Sequence, residues 1–472
     1  MIVEYLNKIA AIIWGPPLIG LLLGTGIYLC FISRFWQFRH FIDSFKYCFF
    51  PSNDNNDKDF RLTQYKAAST AIAASIGAGN IGGVASAIAL GGPGVLFWMW
   101  VCALIGMITK MAEITLSVYY RETDSEGKHR GGPLYYMQKG VGKRFKGWKI
   151  LAVLFSIGIC SQMFVAPDTF TVGEAISELT GTNPIYGSLF FAVMCWVVIL
   201  GGLKRVVNFA AIMMPLMSSL YLIFGLYVIA INYQNIPDTI YLVVRSAFTP
   251  TAAVGGFVGS TMMLGLRTGI ERGLYTNEAG WGTSPMIQST AENNHPVEQG
   301  MWGIVEVFIT TMIVCTITAL VVLVTGEWSS GEAGATLTIR AFAHGLGDFA
   351  PYFICIVLFL FCWTTSAGWF TFILGIIEFA FKNHVIMRER MARILKFIVP
   401  GFGLLIAILI NVWNIKLTYA WLMVSFTSAL PTLTNCIALL FLSKTFIAIV
   451  ADYEGAKKLW GLRDYDKEQV DC

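Results

Sequence analysis

The stretch SIGAGNIGG, Ser75 to Gly83, holds five Gly or Asn residues among nine, inside a run whose flanks are apolar enough to cross a bilayer. Gly and Asn weaken a helix, and a helix broken at bilayer depth exposes two kinds of backbone group. The half after the break begins near Gly79, Asn80 and Ile81. Its unpaired N–H groups and positive dipole end face the bilayer interior, which suits a carboxylate. The half before the break ends near Ala73 to Ile76, and its unpaired carbonyls suit a cation. Irregular backbone at that depth is tolerated where it is buried in protein or lines a cavity, so the stretch reads as a site. Close helix packing through small residues is the alternative.

The elements that hold this stretch are set by composition. With 56% hydrophobic residues, 13% charged and a mean hydropathy of +0.64, the chain carries too few charges for a soluble globule, where about 25% is usual. It reads as an all-α integral membrane protein, embedded in a lipid bilayer as one transport domain over residues 1–472. Spans need about 20 residues each, and eleven are expected: 9–33, 64–90, 94–120, 149–178, 185–202, 207–232, 250–270, 300–325, 350–381, 394–412 and 418–443. The first is too long and lacks the small-residue cleavage pattern of a signal peptide.

Charge supplies the orientation. Of the 33 Lys and Arg, 28 fall in every second loop or in the tail, and Lys8, Arg245, Arg340 and Lys416 fall on the other side. The positive-inside rule then puts the N-terminus outside and the 444–472 tail in the cytoplasm. Arg267 and Arg272 are counted in the basic set, at the end of the seventh span. The net charge of +4 thus reports topology, and no nucleic-acid partner is expected. The ten cysteines lack a C-x-x-C pair and read as small hydrophobes. All five histidines fall in expected loops, no nucleophile and base share a span, and no glycine loop has Walker spacing, so neither an enzyme nor a nucleotide-driven pump is indicated.

A second span has the same irregular character: Pro250 to Gly269 carries Gly255, Gly256, Gly259, Gly265 and Gly269. It follows the first broken span by five helices, an odd number, so the halves 64–232 and 250–443 would be inverted, with 9–33 as an extra N-terminal helix. Paired interrupted helices in inverted halves point to a secondary-transport site.

Five segments carry a resemblance: GAGNIGG from Gly77, AIALGGPGVLFWMW from Ala87, TKMAEITLSVYYRE from Thr109, GGPLYYMQKG from Gly131 and RGLYTNEAGWGTSP from Arg272. Together they resemble, in order, the motifs of the alanine or glycine:cation symporter family. The resemblance implies a leucine-transporter-like fold of two inverted five-helix repeats. It also implies Na+-coupled uptake of a small neutral amino acid, with Na+ as coupling ion, no other cofactor, and no obligate protein partner. Gly77, Ala78, Gly79 and Asn80 match the family's break around substrate, although family members commonly carry Thr in place of Ala78. Asn80 is either a ligand contact or a helix-start residue tying down its own backbone.

In FCWTTSAGW, the Phe361 carbonyl and the Thr364 and Thr365 hydroxyls are three and four positions apart and share a helix face. With the Ala73 and Ile76 carbonyls they would form the fold's oxygen cage for Na+; Ser366 is the alternative if the register slips, and back-bonding of the Thr hydroxyls is the competing reading. Trp369 resembles the family's pocket Trp, Phe257 is a second candidate wall, and Gln162 a polar lining residue. Lys110 and Glu113 are expected to neutralise each other, while Glu306 and Glu378 have no local cation. Thr310 stands where the family typically has an acid, so no role of that acid carries over. The expected location is a prokaryotic inner membrane. A neutral oxygen cage favours Na+ over H+ as the coupling ion, and a membrane enzyme or scaffold is the function of a different class.

Overall fold

Helices that cross lipid must satisfy every backbone group internally, and long apolar helices dominate the chain accordingly. The computed structural model describes residues 14–50, 55–124, 127–163, 167–252, 254–413 and 417–455. Lys8, Lys416, the start of the expected 9–33 span and the tail beyond 455 lie outside them.

In chain order the principal helices are α1 (Pro16–Ile32), α2 (Asn55–Ser75), α3 (Val84–Gly91), α4 (Val95–Tyr119), α5 (Trp148–Met163), α6 (Pro167–Thr180), α7 (Pro184–Ile199) and α8 (Gly202–Ile231). They continue with α9 (Met262–Asn277), α10 (Ser284–Gln288), α11 (Pro296–Val307), α12 (Thr316–Val324), α13 (Gly334–Leu346), α14 (Ala350–Ala380), α15 (Val385–Val412) and α16 (Leu417–Tyr453). Wide π-helical turns, Gly79–Gly83 and Phe308–Cys315, lead into α3 and join α11 to α12. Among the described residues six helices are long and apolar enough to span a membrane, and a seventh if the bent pair α2 and α3 is one span. Helix α8 shows the solvent: Ile212, Leu216, Ile223 and Leu226 are exposed while Met214, Met217, Tyr221 and Val228 are buried. Both faces are apolar, as they must be when lipid replaces water.

Within the expected 149–178 span the described residues form α5 and α6, on either side of 164–166. Two expectations are corrected. Residues 251–260 are no span: Thr251 pairs with Ser260 and Val254 with Phe257 in a tight antiparallel turn, with Gly255 and Gly259 at positive φ. The span is instead α9 and α10, so Arg267 and Arg272 lie inside α9 rather than in a loop. Gly265, Gly269 and Gly273 recur every four residues on α9, and the last two lie against α4: an added Cβ would sit 2.6 Å from Trp98 Cβ or 3.0 Å from Cys102 Cβ. These glycines serve close packing.

Candidate functional site

The first break falls where the sequence weakens the helix. Residues 76 and 77 leave the helical path after α2, and the two halves bend by 55°. Asn80 closes the gap locally: its Oδ1 accepts the Gly77 N–H at 3.0 Å, and its own N–H donates to the Gly77 carbonyl at 3.1 Å. The Gly77 amide is therefore engaged within the protein by the Asn80 side chain. The wide turn that follows leaves the Asn80 carbonyl to the Thr318 hydroxyl, 2.8 Å away. Asn80 Nδ2 reaches across to Cys315 Sγ at 3.4 Å, so the two π-helical turns face each other. Such turns are frequent at functional sites.

The second break lies at 278–283, beyond the glycine run. Glu278 takes a left-handed φ of 51°, Gly280 and Gly282 take φ of 95° and 77°, and Asn277 Oδ1 caps the Ala279 N–H at 2.9 Å. Charge from α4 holds it. Lys110 Nζ donates to the Glu278 carbonyl at 2.9 Å and to Ser284 Oγ at 3.0 Å, and lies 3.4 Å from Glu306 Oε1. Glu306 also accepts from the Ser284 hydroxyl and from Gln288 Nε2, the latter at 2.6 Å. One turn along α4, Glu113 Oε1 accepts the Gly282 N–H at 3.1 Å and the Asn435 amide. A cation thus meets the carbonyl end of α9 and an anion the amide end of α10, the complement of each half-helix dipole. Lys110 and Glu113 do not neutralise each other as expected: Lys110 pairs with Glu306. Glu378, near a span end, lies 3.6 Å from Arg130 Nη2.

The two breaks and α14 enclose a cavity of about 80 Å3, enough for several waters or a small solute. Gly77, Ala78, Gly79, Asn80, Gln162, Thr365 and Trp369 all line it. Phe257 does not: its ring packs on Trp328 at 5.4 Å, beside Gly92. Close approach of α14 to α2 is set by Gly368, where a Cβ would lie 2.3 Å from Ala74 Cβ. That approach brings Thr365 Oγ1 to 3.0 Å from the Ile76 carbonyl and 3.4 Å from that of Ala73. Thr364 Oγ1 donates to the Phe361 carbonyl at 2.9 Å and touches Met217 Sδ at 3.4 Å, so it is back-bonded along its own helix. The expected five oxygens therefore form two groups on adjacent residues, all neutral, a donor set that fits a hard monovalent cation.

Several lining residues were not expected, among them four with carboxylate or aromatic side chains. Asp168, Tyr275, Glu278 and Trp281 share the cavity wall. Tyr275 and Trp281 stack edge to face at 5.5 Å, and Trp281 and Trp369 at 6.4 Å. The last three lie in the RGLYTNEAGWGTSP segment, placed in a loop by the misassigned seventh span. A larger space of about 770 Å3 shares Ala78 with the first and is lined on the far side by Gly83, Ser86, Arg272 and Arg340.

The chain matches the sodium:alanine symporter family over residues 1–466. The sodium/alanine symporter AgcS of Methanococcus maripaludis is 33% identical, covering 97% of this chain and 98% of its own. A transporter of Haemophilus influenzae is 35% identical over 98% of each chain. Among solved structures, MhsT in complex with L-phenylalanine aligns with a TM-score of 0.55 at 13% identity, covering 83% of this chain and 98% of its own. That likeness shows the leucine-transporter-like fold.

Proposed function

Because the chain belongs to the sodium:alanine symporter family, we propose that it couples inward Na+ flow to uptake of alanine or glycine by alternating access. It is a multi-pass membrane transporter and not an enzyme. The observation that carries the reading is Thr365, whose hydroxyl meets the Ile76 and Ala73 carbonyls at the edge of the cavity. An ion bound there ties α2 to α14, and a solute bound beside it contacts the same broken backbone, so each favours the geometry the other needs.

In this reading Na+ is held by Ala73, Ile76, Phe361, Thr364 and Thr365. The amino acid lies against Gly77 to Asn80, with Gln162 and Trp369 around its side chain. A small cavity walled by aromatic rings suits a methyl group or hydrogen. Two spaces that meet at Ala78 support alternating exposure of one site to two sides. The repeats 64–232 and 250–443 would rock against each other in a prokaryotic inner membrane, N-terminus outside. One Na+ moving down about 100 mV and a tenfold gradient supplies roughly 3.7 kcal/mol, enough to concentrate a neutral solute several hundredfold.

The test is uptake of labelled alanine and glycine by the purified protein in liposomes under imposed Na+ or H+ gradients. Accumulation driven by Na+ and not by H+ is expected. Accumulation driven by H+ alone, or none with either, overturns the proposal.

A further inference from the structure

Asp168 is the second residue of α6 and lines the cavity bounded by Gly77 to Asn80 and Trp369. Its Oδ2 lies 3.3 Å from the Ser366 hydroxyl, and the Cys362 thiol is its other hydrogen-bonding neighbour. Both are neutral. Among the described residues no Lys, Arg or His pairs with this carboxylate, and none lines the cavity. Arg272 lines the larger space instead. The other acid in the wall, Glu278, is engaged by the Thr283 hydroxyl and packs near Lys110. An ionisable group at membrane depth without a paired charge marks a functional site.

The rest of the wall narrows the ligand class. Tyr275, Trp281 and Trp369 line the cavity with aromatic rings, whose faces attract cations; the Arg272 guanidinium lies over the Tyr275 ring at 5.4 Å, which leaves Trp281 and Trp369 for a ligand. A carboxylate in one wall with two indole rings is the chemistry that recognises an ammonium group. An anion lacking an amine would meet Asp168 with uncompensated repulsion, whereas a zwitterion brings its own counter-charge. We infer that Asp168 is the anionic contact for the primary ammonium group of the transported solute, and so the residue that separates amino acids from hydroxy acids and simple carboxylic acids of the same size. This assignment rests on the reading of the cavity as an amino-acid site, and Ser366 acts as a positioning residue for the carboxylate.

The test uses the full chain, in liposomes for uptake and in detergent for melting, with alanine, lactate and propionate as probes. In the parent, alanine raises the melting temperature and competes with labelled alanine, while lactate and propionate do neither at equal concentration. Asp168→Asn should weaken alanine by about thirtyfold or more, the scale for losing one partner of a desolvated charge pair, and bring the preference for alanine over lactate close to parity. Asp168→Glu should keep the preference at a raised KM. The preference is a ratio within one variant, so reduced folded yield does not move it. A parental ratio in Asp168→Asn overturns the assignment. If the parent takes up no neutral amino acid, the proposed function falls separately; the assignment is then decided by melting with ethylamine, putrescine and lysine. A shift with any of these in the parent but not in Asp168→Asn sustains it, and absence of a shift in the parent overturns it.

Discussion

Replacing Gly79 with Ala tests whether the first break serves a ligand. The new Cβ would lie 2.5 Å from Cε1 and 2.8 Å from Cδ1 of Tyr275, where carbon atoms rest at about 3.5–4.0 Å. The ring must retreat by about 1 Å, into or across the wall of a cavity of only about 80 Å3. Overpacking of this kind costs about 1–3 kcal/mol, against a gain of about 1 kcal/mol for Ala over Gly in a helix. The net expectation is a loss of roughly 0–2 kcal/mol, with uptake and alanine-induced stabilisation reduced about tenfold or more. Gly24→Ala is the control, because an added Cβ there has nothing within 4 Å. Gly91 would not serve, since its Cβ would lie 2.6 Å from Val95 and 3.3 Å from the Gly265 Cα. Adding Tyr275→Leu to Gly79→Ala removes the clash and should show a coupling energy of about 1 kcal/mol or more in melting. Parental uptake and a parental alanine-induced melting shift in Gly79→Ala would refute the reasoning and leave the glycines a packing role only.

Thr365→Val deletes the hydroxyl that meets two carbonyls and should raise the Na+ concentration for half-maximal uptake about tenfold or more, while the back-bonded Thr364 gives a smaller effect as Val. Equal or absent effects would contradict the two-group arrangement. Trp369→Ala should admit Val and Leu at some cost in stability, about 3–5 kcal/mol if the space does not collapse; unchanged selectivity with lower yield makes Trp369 core packing. Lys110→Met or Glu306→Gln strands one member of a buried pair and should cost about 3–5 kcal/mol in thermal melting, with part recovered in the double variant. Losses below about 1 kcal/mol would show that the pair does not support the second break.

The first break was legible because Gly and Asn are poor helix formers within an apolar run, and no tertiary context was needed to see them. The second was displaced for a physical reason. Gly255, Gly256, Phe257 and Val258 are apolar enough to imitate a span, while Arg267, Arg272 and Glu278 lower the hydropathy of the helix that is one. Of these, Arg272 faces a cavity and Glu278 sits where Lys110 meets the unwound backbone. The partner of Lys110 depended on three-dimensional proximity: Glu113 is three residues away along α4, yet Glu306 from α11 is the one that reaches it. Spacing from Phe361 singled out Thr364 and Thr365 together, but it could not show that Thr364 bonds back along its own helix while Thr365 meets α2. Asp168 could not be singled out at all, because one acid in an apolar run says nothing until the cavity in front of it is visible. Asn80 shows the same limit, because its bond to the Gly77 N–H depends on how the chain turns between them.

Coupling is reciprocal, so the most direct test of the account drives it backwards from the solute. Liposomes holding the purified protein, with equal Na+ on both sides and the membrane potential clamped at zero, are given an inward alanine gradient while labelled Na+ is followed. Alanine should pull Na+ uphill into the vesicle, and Thr365→Val should weaken that movement in parallel with its loss of Na+ affinity. Alanine entry without Na+ entry would contradict the central claim that the oxygens of α2 and α14 couple the two.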